Sequence, residues 1–212
     1  MSAFAALAAE PAAPVDELAL AIAGEFRLVD VAAVRGELDD LGAEVAAARG
    51  PDAVGDAAAL QLVLGERHGF RGDEREYDHP DNSMIDLVLD RRRGLPILLS
   101  AVYVGVAARA GIPLSGVGLP GHFVVAHVGA DPPIVLDPFA GGEVTERRGP
   151  VRPWTPHATA LRMLNNMVAG YSRRGDLLGA IRAAEMRLQL PAHGQERERL
   201  ADEALALRAR LN

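Results

Sequence analysis

Between Pro96 and Ala110 the chain carries apolar residues on nearly every side of a helix drawn through it, from Ile97, Leu98 and Leu99 to Val102, Val104 and Val106. A helix without a polar face is stable only when other elements surround it. Pro96 suits its first turn and Gly111 its end. No apolar run in the chain approaches the ~20 residues of a membrane span. The rest of the chain must therefore wrap this segment as a central, buried helix. With 212 residues and 49% hydrophobic composition it has the material for one such core.

The sequence before this helix reads helical. Leu18, Ile22 and Phe26 mark one face of a helix over Asp16–Arg27. Asp30 can cap a second, carrying Val34, Leu38, Leu41 and Val45 and stopping before Gly50-Pro51; Asp52 can cap a third, ending near Gly65. Residues 1–14 are apolar, lack a basic segment and are broken by Pro11 and Pro14, which reads as a flexible tail and not a signal peptide. His68–Asp81 is polar and reads as a long loop of the kind that carries function. Ser83-Met84-Ile85-Asp86 has a capping-box pattern, and a short helix follows to Arg91-Arg92-Arg93, with Gly94 as its stop. The three arginines read as a solvated helix end or a contact for an anion or acidic partner.

After Gly111 the period changes. Ser115–Leu119, His122–Val128 and Ile134–Asp137 are short β-rich runs separated by turn residues, which predicts an antiparallel meander. A loop, Gly141–Pro156, leads to helical stretches at Ala158–Arg173, Asp176–Leu190 and Glu196–Leu211. The fold class is α+β, with a core over 15–156 and a helical tail over 157–212.

Composition removes several chemistries. There is no cysteine, so thiol catalysis, disulfides and thiolate metal sites are excluded. All basic residues are arginine, which excludes a Schiff-base or P-loop lysine. A net charge of −7 argues against a general nucleic-acid surface. His68, His79, His122, His127 and Asp137 show no close metal-ligand spacing, and Gly141-Gly142 lacks the strand–loop–helix order of a phosphate site, so no metal or cofactor is expected. The default location is cytoplasmic.

His122 and Asp137 form the candidate constellation. If their strands pair with residue numbers summing to an odd value near 260, both side chains fall on one face; an even sum separates them. Paired, Asp137 would orient the imidazole as in a catalytic triad. The same residues fit a histidine satisfied by a carboxylate that starts the Asp137-Pro138 turn. Gly121 would let another backbone approach the histidine. The nucleophilic side chain on the first turns of the buried helix is Ser100, although a mid-helix serine more often bonds back to its own helix.

These strings together resemble a known family. Asp81-Asn82-Ser83, Asp90–Ile97, Gly116–Phe123 and Leu136–Phe139 with Gly141-Gly142 are similar to the bacterial SirB-type transglutaminase-like family. Leu161–Asn166, Tyr171 and Arg173–Asp176 resemble that family's tetratricopeptide-like tail. The resemblance implies a papain/transglutaminase-like core with a C-terminal helical hairpin packed on it. It places His122 and Asp137 on the family's histidine and aspartate. Pro96 then stands near the position of the nucleophilic cysteine, so thiol acyl transfer is lost. It further implies a groove drawn from Asn82, Arg93, Pro96, Gly121 and Phe139 that binds a peptide or protein segment. The alternative is a hydrolase using His122, Asp137 and water or Ser100.

Overall fold

The computed structural model describes residues 2–145 and 151–211. The helices are α1 (Ala3–Ala8), α2 (Val15–Phe26), α3 (Val31–Ala48), α4 (Ala53–Leu60), α5 (Ile85–Arg91), α6 (Pro96–Arg109), α7 (Pro156–Arg174), α8 (Leu177–Arg187) and α9 (Gly194–Ala209). The strands are β1 (Arg71–Gly72), β2 (Arg93–Gly94), β3 (Leu114–Leu119), β4 (His122–His127), β5 (Ile134–Asp137) and β6 (Glu143–Val144).

The apolar helix is where its composition requires. Pro96 is its first residue, and α6 is enclosed by α2, α3, α5, β3 and β4. Ile97, Leu99, Val102, Tyr103 and Val106 are fully buried. Burying side chains of this size stabilises by about 1.5–3 kcal/mol each, so α6 organises the core. β3-β4-β5-β6 form the antiparallel meander, and β1 and β2 form a separate parallel pair.

Pleating gives the sheet two unlike faces. Phe123, Val125 and Leu136 join the core around α6. Val117, Val124, Ala126 and Val135 form a small second cluster on the opposite face. β4 and β5 pair with numbers summing to 261, as in Val125 with Leu136. The odd sum is realised, and His122 and Asp137 lie diagonally on the face of the second cluster.

The caps at Asp30 and Asp52 form as expected, accepting from the N–H of Ala33 and Gly55. Four local expectations are corrected. The expected loose tail over 1–14 is ordered over residues 2–14: α1 buries Phe4 and Ala8, and Ala13 is also buried, because the apolar positions of this segment pack on the core. Ser83 does not cap α5; it ends a 3-10 turn over Pro80–Ser83, Met84 takes the cap position, and Asp86 pairs with Arg27. The stop of α5 is Arg92, left-handed at φ 56, held by Glu37 and by stacking 4.7 Å over the Phe70 ring, while Gly94 extends into β2. The loop at 68–81 contains β1, and α4 runs on into a π-helical segment, Gln61–Arg67. Of the Gly141–Pro156 loop, 146–150 lie outside the described residues.

Candidate functional site

His122 opens β4 and Asp137 closes β5, so the register brings two strand ends together. His122 Nε2 lies 2.8 Å from Asp137 Oδ2. A carboxylate only accepts, so it is the Nε2–H of the ring that donates to Asp137 Oδ2. The other oxygen, Oδ1, accepts from the Phe139 N–H at 2.9 Å and starts a short 3-10 turn over Pro138–Ala140. Both readings of Asp137 therefore hold at once: it orients the histidine and it starts the turn.

That turn is seated by two glycines to which sequence reasoning gave no site role. A Cβ on Gly65 would run into the carbonyl of Gly141, and one on Gly72 would enter the Phe139 ring. The π-helical segment and β1 thus press directly on the turn that carries Asp137 and Phe139. Phe139 in turn meets the His122 ring edge-on, centroids 6.0 Å apart, and Tyr77 at 6.1 Å. Gly121 has a different part from the one expected. At φ 69 it turns the chain between β3 and β4, and the space at its Cβ position is open.

A second missed residue comes from the helical tail. Arg162 of α7 donates to the carbonyls of Leu119 and His122, at 3.3 and 3.1 Å through Nη2, and so clasps both ends of the β3–β4 turn. Four residues on along α7, Asn166 and then Gly170 and Arg174 line a cleft of about 110 Å3. Tyr77, His79, Pro80 and Leu95 form its opposite wall. Arg173 and Arg174 bind the side chain and carbonyl of Asp78 and tie that wall to α7. Leu95, just before Pro96, lines this cleft, and the Tyr77–Phe139–His122 ring series connects it to the His–Asp pair.

Asn82 is fully buried behind this wall. Its amide nitrogen donates to Glu76 O at 2.8 Å and reaches Asp73 Oδ2 and Tyr77 O, while its oxygen accepts from Arg91. Asn82 shapes the 73–82 loop and offers a ligand no free surface. The Glu76 N–H, with Asn82 and Arg91, holds the Asp73 carboxyl below its ordinary range despite burial. Arg93 donates to the carbonyls of Gly69 and Arg92, and desolvation lowers its pKa.

Ser100 is not brought to the dyad. It is 1% exposed, its hydroxyl has no partner, and it lines a separate cavity with Phe123 and Trp154 on the α6 side of the sheet. Strand alternation is the reason, since Phe123 faces α6 and His122 faces away. Tyr103 is another buried hydroxyl without a partner, and burial together with the Asp137 charge raises its pKa. His127 and Asp56 form a second His–Asp contact, at 3.3 Å; Asp56 is also held by Arg49 through two bonds, which depress its pKa. That contact is enclosed, with both side chains about 5% exposed, and braces the far end of β4. Among the described residues no group of three or more His, Cys, Asp or Glu is placed to hold a metal ion, and no helix is long and apolar enough to cross a membrane.

Residues 32–169 match the family model described as the transglutaminase-like superfamily, a match that includes both dyad residues and Arg162. A UPF0162 protein of Xylella fastidiosa is 36% identical over 170 residues, covering 70% of this chain and 60% of that protein. A UPF0162 protein of Pseudomonas aeruginosa is 30% identical over 203 residues, covering 87% of this chain and 74% of its own length. F-box only protein 21 of Mus musculus shares 37% identity over 67 residues, 32% of this chain and 11% of that protein. The chain thus spans about 60% of the length of its Xylella relative. No solved structure matches. The family model covers residues 32–169, more than half of the chain, and on that match the chain belongs to the transglutaminase-like superfamily.

Proposed function

We propose that this chain binds a peptide or protein segment in the cleft between Tyr77 and α7, which the Tyr77 and Phe139 rings connect to His122, and performs no thiol chemistry. One observation carries the reading. A formed His122–Asp137 pair is linked through the Phe139 and Tyr77 rings to an aromatic-walled cleft, while the chain has no cysteine and Pro96 heads the buried helix. Proline has no nucleophilic atom for acyl transfer. Tyr77 and Tyr171 offer apolar faces with polar tips, and Asn166 offers amide hydrogen bonds, a combination suited to an extended peptide.

Within the superfamily this reading assigns the chain to the SirB-type branch, on Gly118-Leu119-Pro120-Gly121-His122 and Leu136-Asp137-Pro138-Phe139. The antiparallel neighbours α7 and α8, followed by α9, support a tetratricopeptide-like tail. A cytoplasmic location and a protein partner belong to the same reading.

The test is selection of displayed peptides on the full chain. The space beyond Gly170 is open, so Gly170→Trp can be accommodated and fills the cleft. Peptides selected on the wild type should be lost on Gly170→Trp and weakened on His122→Ala. Peptides that bind Gly170→Trp equally well would place recognition elsewhere. The oriented imidazole also suits general-base hydrolysis through water. Ester or amide turnover that disappears in His122→Ala would replace the binding reading with that one.

A further inference from the structure

We propose that the cavity between α6 and β3 is a binding site for a small neutral molecule, about the size of phenol, with one hydroxyl. The cavity measures about 140 Å3 and is separate from the peptide cleft. Val15, Val104, Leu114, Phe123 and Trp154 supply apolar walls. An enclosed, wholly apolar cavity of about 150 Å3 takes up benzene; this one has nearly that volume, is partly open and adds serine and threonine residues to its walls.

The walls are fixed before any ligand arrives. Phe123 and Trp154 meet edge-to-face at 5.5 Å, and the Arg162 guanidinium lies over both rings at 5.5 and 5.6 Å. The Trp154 backbone N–H donates to the Gly116 carbonyl at 2.8 Å and anchors the residue on β3. A Cβ at Gly118 would overlap the indole, so the ring is held flat against the strand.

The polar content selects the ligand. No charged side chain lines the cavity, so an ion would lose its hydration without compensation. The Thr159 hydroxyl already donates to the Thr155 carbonyl at 3.0 Å. Ser100 Oγ is different. It is buried, lines the cavity and makes no hydrogen bond, although a helical serine ordinarily bonds to the carbonyl one turn back. Ser115 also borders the cavity, but it pairs with Ala126 on the sheet face away from α6, which leaves the Ser100 hydroxyl as the unused donor and acceptor on the α6 side, a match for one hydroxyl on a flat or cyclic hydrocarbon. This assigns Ser100 a role as a binding residue and not as a nucleophile.

Trp154 is the sole tryptophan, so its emission reports this cavity in the intact chain. Phenol and toluene, equal in heavy-atom count, are titrated while the indole is excited at its red edge. Both should give saturable changes, with phenol binding more tightly. Ser100→Ala should weaken phenol about fivefold, the worth of one hydrogen bond, and leave toluene unchanged. Ser100→Leu should fill the space and abolish both responses, with circular dichroism confirming that it folds; if it does not fold, Ser100→Ala decides alone. Absence of a saturable response to either probe, or equal phenol affinity in wild type and Ser100→Ala, overturns the proposal.

Discussion

Replacing Asn82 with alanine tests whether this residue is part of a binding surface or part of the frame that builds one. Its amide nitrogen has two hydrogens and three acceptors within reach, Glu76 O at 2.8 Å, Asp73 Oδ2 at 3.2 Å and Tyr77 O at 3.3 Å. Its oxygen takes a bond from Arg91 Nη1 at 3.0 Å. A bond to a neutral carbonyl is worth about 1 kcal/mol, and each bond to a charged group, the Asp73 carboxylate or the Arg91 guanidinium, about 1.5–3 kcal/mol. Part of this survives the substitution, because Arg91 still bonds Asp73 directly and is partly exposed to water. The expected net loss is about 3 kcal/mol, which for a domain of this size lowers Tm by roughly 6–12 °C. Thermal unfolding gives the magnitude. Hydrogen exchange gives the location: the amides of His79, Asn82 and Leu95, bonded across this loop, should lose protection first. Asn82→Asp should be at least as damaging, since it sets a carboxylate oxygen against three acceptors. A Tm within about 2 °C of wild type, with loop protection unchanged, would refute this account of the residue.

Three further outcomes follow from the same geometry. Gly72→Ala should displace the Phe139 ring, cost about 1–3 kcal/mol and remove the ring-current shift of Phe139 on the His122 proton resonances. Asp73 has a folded pKa below its ordinary 3.8, so its contribution is present above that value and is lost as pH falls through the folded pKa. Amide protection factors in 73–83, taken relative to the intrinsic rate at each pH, should therefore fall in acid, and Asp73→Asn should remove that pH dependence. Ser100→Ala without ligand should raise stability by about 1 kcal/mol, because it removes a buried hydroxyl that bonds nothing and improves helix propensity; a fall in Tm would mean that the hydroxyl is satisfied.

Much of the architecture was legible because it rests on period and local chemistry. The all-round apolarity of 96–110 required a central helix, and alternation with turn residues defined the meander. The His–Asp pair was legible only conditionally, since a shift of one residue in pairing would have reversed one face; the observed sum of 261 decides it. Features set by distant partners were not legible. Phe4 in the first segment looks like one apolar residue among alanines until the core receives it. Arg162 looks like an ordinary charge on an amphipathic helix until its carbonyl partners appear across the chain. Gly65 reads as a helix end and Gly72 falls within the polar 68–81 loop, yet each marks a place where two stretches of chain touch.

Asp137 divides its two oxygens between the imidazole of His122 and the N–H of Phe139. The strand end therefore uses this carboxylate independently of any chemistry at the histidine. The two halves of the dyad are unequal as experimental handles. Changing Asp137 releases the Phe139 turn along with the ring it orients, so any lost activity has two causes. Changing His122 leaves the bond from Phe139 to Asp137 in place, which makes the histidine the half whose removal reads out the site by itself.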